Sequence, residues 1–313
     1  MENELLHENR SKIIGALIFI AIVTALLLAF WVVRGWLTEK NDRGIEAELF
    51  DLTYTEEMAE VELARLRPLT AVTPVSKRAN GKLYRALAEI SYMTGDEMLY
   101  NRYMAYAMYY LGKAGDGVPR AYLTNKYSRR LYANGCYASA DEMLLDLAAG
   151  TDISALPLSL QAAYYLSRAD IAHMRGNDDA QLLSLGLAAI SLMPEGGERR
   201  LNQAKADILA ARGLIENGAY AKASERMLGY AETDEFGLGQ DQVYVVCDFK
   251  IPFYEIAAKL ALHAGDTDSA DYYVKRYLQY CDEYNFRAMK LRLLQYMSEH
   301  TVGDDGTQPA SYP

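Results

Sequence analysis

Apolar residues run almost unbroken from Ile13 to Val33, 21 positions in which only Thr24 is polar. At 1.5 Å per residue, a helix of that length spans the roughly 30 Å hydrocarbon core of a bilayer. Fourteen of the 21 are Leu, Ile, Phe or Val, which favours insertion by roughly 4 to 8 kcal/mol. Trp31 and Trp36 flank Arg34 as interfacial anchors at the far end. A cleaved signal peptide has a shorter apolar core followed by a small-x-small cleavage site. Ala29-Phe30-Trp31 and the residues after it offer no such site, and no cysteine stands nearby for a lipid anchor. The pattern predicts a short tail over 1–12 and an uncleaved single-pass helix over 13–36.

Beyond the span the dominant period is helical. Ile45, Leu49, Leu52, Ala59, Leu63 and Leu66 keep one helical face, interrupted by Glu56, and predict a juxtamembrane helix ending near Pro68. A polar stretch with Pro68, Pro74 and Gly81 then separates it from the rest, so that 37–80 reads as juxtamembrane helix and linker. The one β-branched run, Val243-Tyr244-Val245-Val246, is too short to found a sheet. Arg287, Lys290, Arg292 and Glu299 alternate with Met289, Leu291 and Leu294, which predicts a last helix with a polar outer face. Residues 301–313 are rich in Gly, Asp and Pro without apolar period and read as a disordered tail.

Short glycine turns recur between the helical segments, at Gly95, Gly135, Gly176, Gly218 and Gly265, spaced 40, 41, 42 and 47 residues apart. A helix commonly ends on a left-handed residue, which glycine adopts without strain. Seven residues before each stands a small residue: Ala88, Ser128, Ala169, Ala211 and Ala258. Five residues after stand Tyr100, Ala140, Gln181, Ala223 and Ala270. Tyr84, Tyr165 and Tyr254 stand eleven before in three repeats. Small residues at such points let the two helices of a hairpin approach closely.

Small residue, glycine turn, then alanine at these offsets resembles the tetratricopeptide repeat, over about residues 81–285. Asn217-Gly218-Ala219-Tyr220-Ala221-Lys222-Ala223 and Ala264-Gly265-Asp266-Thr267-Asp268-Ser269-Ala270 carry it best. The units are longer than the family's repeat, and the first and third lack the downstream alanine. The resemblance implies an all-α chain: a transmembrane helix followed by a tetratricopeptide-like α-solenoid of about five to six helical hairpins over 81–300. It also implies that first helices line a concave groove, contacted ten and six residues before each turn glycine. Those positions hold Arg85, Asn125, Leu166, Ile208 and Glu255, then Glu89, Arg129, Asp170, Arg212 and Lys259. Arg85, Asn125, Arg129, Arg212 and Lys259 are the candidate partner-binding residues, suited to a peptide carboxylate or acidic segment. The competing reading is a solvated helix face that Glu89, Asp170 and Glu255 neutralise.

Composition narrows the function classes. The net charge is -10 and residues 1–36 balance three acids with three bases, so the acidity belongs to the rest of the chain. An acidic domain repels phosphate backbones and argues against nucleic-acid binding. Cys136, Cys247 and Cys281 lack metal-ligand spacing and read as small buried hydrophobes, with one disulfide left open. No phosphate-cradling glycine motif, nucleophile elbow or His-Glu-x-x-His helix occurs. His7, His173, His263 and His300 are scattered, although His173 and His263 both fall near the ends of first helices. Asp266-Thr267-Asp268 with Asp271 lacks the glycine and the bidentate Glu of a calcium loop, and reads as helix capping. The same holds for Asn177-Asp178-Asp179 and Asp96-Glu97. Tyrosine is abundant, 25 residues with a cluster from Tyr100 to Tyr110, read as packing or as a sticky surface for peptides.

These features predict a scaffold, not an enzyme. The membrane engages residues 13–36, protein or peptide partners engage the hairpins, and no cofactor, metal or nucleic acid is expected. The resemblance points to assembly of envelope or secretion machinery. A near tie of flanking cations leaves orientation to the usual topology of a short tail with a large C-terminal domain, which places that domain outside the cytoplasm. The alternative is a ligand-binding sensor working with a separate transducer, and an enzyme acting through Asp170 or Glu216 ranks last.

Overall fold

A computed structural model describes residues 2–52, 55–234, 236–237 and 245–300, the side chains of 2–13 and 56 excepted. The described residues are all-α, without a strand. The expected disordered tail at 301–313 lies outside them, as do Val243 and Tyr244, while Val245 and Val246 are helical. The chain forms two compact units, Met1–Asp116 and Gly117–Pro313.

The first unit opens with α1 (Glu2–Phe50), one unbroken helix of 49 residues. From Ile14 it is long and apolar enough to cross a membrane, with nothing of its apolar window buried. No break falls at the expected boundaries of 12/13 or 36/37. Helix α1 ends instead at Phe50, inside the segment expected to be one juxtamembrane helix, and α2 (Glu56–Leu66) follows. With α1 ended there, Ile45 on α1 and Ala59, Leu63 and Leu66 on α2 bury in one core with Leu83, Leu87 and Ile90 of α3 (Lys77–Met93). Each large aliphatic so buried contributes roughly 1.5–3 kcal/mol. The expected linker is also packed: Asn41 Nδ2 donates to the Pro74 carbonyl at 3.0 Å, and the Ser76 N–H donates to Asp42 Oδ1 at 2.9 Å. Ser76 then caps α3 by accepting from the Ala79 N–H. The hairpin of α3 with α4 (Glu97–Ala114) completes the unit. The two helices approach so closely that a Cβ on Gly81 would lie 2.7 Å from the Leu111 side chain.

In the second unit the hairpins are α5 (Gly117–Ala133) with α6 (Tyr137–Gly150), α7 (Leu158–Met174) with α8 (Ala180–Leu192), α9 (Gly197–Glu216) with α10 (Tyr220–Met227), and α11 (Ile251–His263) with α12 (Thr267–Glu283). A π-helical turn, Val246–Lys250, leads into α11, and α13 (Arg287–His300) closes the chain's described part. All five expected turn glycines adopt positive φ, between 69° and 78°. Each turn also repeats one hydrogen-bond pattern, in which the residue after glycine donates back to the carbonyl five before it, as Ala219 N to Leu214 O at 2.8 Å. That is the Schellman end of a helix. The same ending occurs at Gly115 and at Asn285, the latter an asparagine at φ 56° that a search for glycine turns passes over.

The small residues seven before each turn are all buried, from Ala88 to Ala258. Of those five after, Gln181 is exposed and Leu182 takes its place inside. The reason is a longer turn: Asp179, not the residue after Gly176, caps α8 through the Gln181 and Leu182 amides. On α13 two expectations exchange places, since Leu291 is 67% exposed and Arg292 turns inward.

Candidate functional site

In the second unit the positions ten and six before the turn glycines do share one face, as the resemblance implies. That face is the unit's interior. Helices α5, α7, α9 and α11 contact one another in succession, and α13 contacts both α11 and α5. The first helices therefore close on themselves, and side chains expected to line an open groove meet at the centre. Asn125, Leu166, Ile208 and Glu255 are buried, as are Arg129, Asp170 and Arg212.

The charged members pair from helix to helix with alternating sign. Arg129 on α5 holds Asp170 on α7 at 2.7 Å (Nη1 to Oδ2), and Asp170 Oδ1 also receives Arg212 Nη1 of α9 at 2.6 Å. Arg212 Nη2 reaches Glu255 Oε2 on α11 at 3.0 Å, and Arg292 Nη2 of α13 reaches the same oxygen at 2.6 Å. Lys259 Nζ donates to Glu255 Oε1 at 2.9 Å. On the other flank Asp248, from the π-helical turn, accepts from Arg129 Nε at 3.0 Å and from Lys205 Nζ at 2.8 Å. Tyr132 donates its hydroxyl to Asp170 at 3.0 Å, and its ring lies 4.4 Å beneath the Arg129 guanidinium. Every carboxylate in this ladder thus serves two or three cations.

The electrostatics follow from that sharing. Burial by itself would raise the Asp170 carboxyl, but the guanidiniums of Arg212 and Arg129 outweigh it and hold it at about 2. Against the same penalty, Arg212, Arg292 and Lys259 hold Glu255 well below the ordinary carboxylate range. Burial lowers Lys205, with Asp248 opposing. Carboxylates held this firmly as anions are poor proton donors at neutral pH. The cleft that Arg129, Asp170, Lys205, Arg212 and Asp248 share with Leu166, Ile208, Leu209 and Pro252 measures about 10 Å³. A volume of that size is about what one water molecule occupies, so the cleft holds no organic substrate in this conformation. The ladder ties α5, α7, α9, α11 and α13 together.

The five candidate groove residues therefore separate. Arg129 and Arg212 are ladder members. Asn125 donates to the Ala121 carbonyl within its own helix at 3.0 Å. Lys259 stands at the partly exposed edge, over the Tyr296 ring at 4.5 Å. Arg85 belongs to the first unit and pairs with Glu89 one turn along α3, at 3.0 Å and 42% exposed. A charge reversal at Arg129 or Arg212, a harmless surface change on an open groove, would here strand buried carboxylates. Lys205, Asp248, Tyr132 and Arg292 were not among the candidates. Two carried a readable signal: Lys205 and Asp248 stand seven residues before Arg212 and Glu255 and so share their faces. Arg292 had none, because its helix periodicity put it outside.

The other candidates resolve locally. His173 lies between Asp178 at 2.8 Å and Glu216 at 3.2 Å, while His263 stacks on Tyr220 with ring centroids 3.5 Å apart, so the two do not meet. Among the described residues no cluster of His, Cys, Asp and Glu has the makings of a metal site. Asp96, Asp179 and Asp266 all cap their helices. The three cysteines are free thiols, with Cys247 and Cys281 each pushed up by burial to about 12. In the first unit Tyr84 packs against Tyr103, Tyr106 and Tyr110, stacking on the last at 5.5 Å.

Fold and site together describe an all-helical chain of hairpins with an apolar N-terminal helix and an ionic centre in its second unit. No protein-family model, curated protein or solved structure matches the chain.

Proposed function

We propose that this chain is a membrane-anchored scaffold of tetratricopeptide-like hairpins that binds protein or peptide partners, with α1 as a single-pass anchor. The observation that carries the reading is the repetition itself: five Schellman turns, each with a small residue buried seven positions before it. Repeated hairpins stacked on one another build extended binding surfaces more readily than enclosed reaction chambers. Within the second unit the ionic ladder holds the first helices in place, and recognition falls to the outer surface and to the ladder's edge at Lys259. The resemblance adds a setting, assembly of envelope or secretion machinery, with the hairpins on the extracytoplasmic side. The sensor reading ranks second, since the cleft beside the ladder has room for about one water molecule.

The test is site-specific photo-crosslinking in intact cells from Leu192, Leu228 and Leu291, each more than two-thirds exposed or close to it at 71%, 79% and 67%. Reporter fusions after Glu299 would assign the side of the membrane. A scaffold yields a discrete protein adduct from at least one position, and the adduct disappears in the Lys259→Glu variant or maps to an outer face. Absence of any protein adduct from all three positions, in a correctly inserted chain, overturns the scaffold reading.

A further inference from the structure

The first unit carries a second feature that the scaffold reading leaves unused. The chain is acidic overall, yet the end of this unit nearest the apolar span is basic. Residues 34–43, 67–78 and 113–116 hold seven cations against three acids. The three acids are already engaged: Glu39 with Arg43, Asp116 with Arg78, and Asp42 with the Ser76 N–H. Arg34, Lys40, Arg67, Lys77 and Lys113 are exposed and form no ion pair with a described residue.

Tertiary packing brings the segments that carry Lys77 and Lys113 alongside the stretch of α1 just past its apolar run. The Asn41–Pro74 and Asp42–Ser76 hydrogen bonds bring the start of α3 alongside the helix just past its apolar run. The Arg78–Asp116 pair, at 2.6 Å, brings the end of α4 to the start of α3. Along α1, residues 14–36 are exposed and burial begins at Leu37 and Thr38. At 1.5 Å per residue that is about 6 to 8 Å past Val33, and the headgroup layer is itself about 5 to 8 Å thick. Asp42, which accepts from the Ser76 N–H next to Lys77, sits about 13 Å past Val33 along α1, within roughly one Debye length of that layer's outer edge.

We propose that this basic collar is a docking surface for anionic phospholipid headgroups, which seats the first unit on the membrane instead of leaving it on a stalk. The proposal rests on α1 being a membrane anchor and concerns whichever leaflet the hairpins face. Each cation near an anionic surface contributes roughly 1 kcal/mol, about fivefold in occupancy.

The full chain would be reconstituted in phosphatidylcholine vesicles, with and without about one-third phosphatidylglycerol, and the acylation rates of Lys77 and Lys113 measured by mass spectrometry. Quenching of Trp31 and Trp36, the chain's two tryptophans, by brominated lipid reports insertion separately. The expected result is equal quenching in both vesicles, with acylation of Lys77 slowed about fivefold by the anionic lipid. High salt should restore the rate, and a Lys40→Glu/Lys113→Glu chain should lose the slowing. Equal acylation in the two vesicles with intact quenching overturns the collar. Absent quenching overturns the anchor on which it rests.

Discussion

The hairpin of α3 and α4 and the hairpins of the second unit share a turn, a buried small residue and a register, yet they treat charge in opposite ways. In the first unit the register positions Arg85 and Glu89 pair along their own helix, partly in water, around a core that is apolar. In the second, Arg129, Asp170, Arg212 and Glu255 pair between helices and are buried. The same local pattern gives a surface pair in one unit and an interior ladder in the other because only the second encloses the face. Removing charges from water costs several kcal/mol per ion. Sharing each carboxylate among two or three cations offsets that cost, and makes every member depend on its neighbours.

That dependence is where the comparison can be broken. Arg212→Ala removes the bridge between Asp170 and Glu255 and should destabilise the second unit by about 3–5 kcal/mol, while Arg85→Ala should cost about 1 kcal/mol or less. Hydrogen exchange of the detergent-solubilised chain under denaturant reads each unit separately, and equal costs would mean the ladder is not a network. Leu83→Ala should weaken the first unit by about 2–5 kcal/mol, leaving exchange in the second unchanged.

Acid should then separate the units. The folded-state values of Asp170 and Glu255 are depressed, so their stabilisation is complete above the ordinary carboxylate range and is lost as pH falls through the folded values. For Asp170 alone, lowered from 3.8 to about 2, the loss between about pH 5 and pH 2 is roughly 2 kcal/mol. Glu46 in the first unit is lowered by its hydrogen bond and charge pairing with Lys82 in solvent, so that unit should change less. A pH titration of the two exchange profiles checks this. The smallest effects should be the same in both units: Asp96→Ala and Asp266→Ala each remove a helix cap and should cost about 1 kcal/mol. A large difference between these two would show that the turns are not equivalent.

Much of this was legible in residue order. The apolar run to Val33, the five glycine turns, the buried small residues and the capping aspartates are local features, each decided within one or two helical turns. The register that selects Arg129, Asp170, Arg212 and Glu255 as one face came with the tetratricopeptide resemblance that those turns carry. Their partners were less so. Lys205 and Asp248 needed the register carried two turns further back, and Arg292 stands on a helix whose own periodicity pointed it outward. Asn285 escaped because asparagine supplies the left-handed turn only where a short polar side chain is tolerated.

What the sequence alone determined is therefore local: where the glycine turns fall, which small residues beside them are buried, and that the first helix is suited to a bilayer. Tertiary structure alone decided two things. It returned α13 to α5, which turned the expected groove lining into an interior, and it brought the segments that carry Lys77 and Lys113 alongside Asn41 and Asp42, just past the apolar run of α1. Both depend on the rotation accumulated from helix to helix and on how side chains interlock at each crossing. Those quantities are sums over many distant contacts, and no single stretch of the chain contains them.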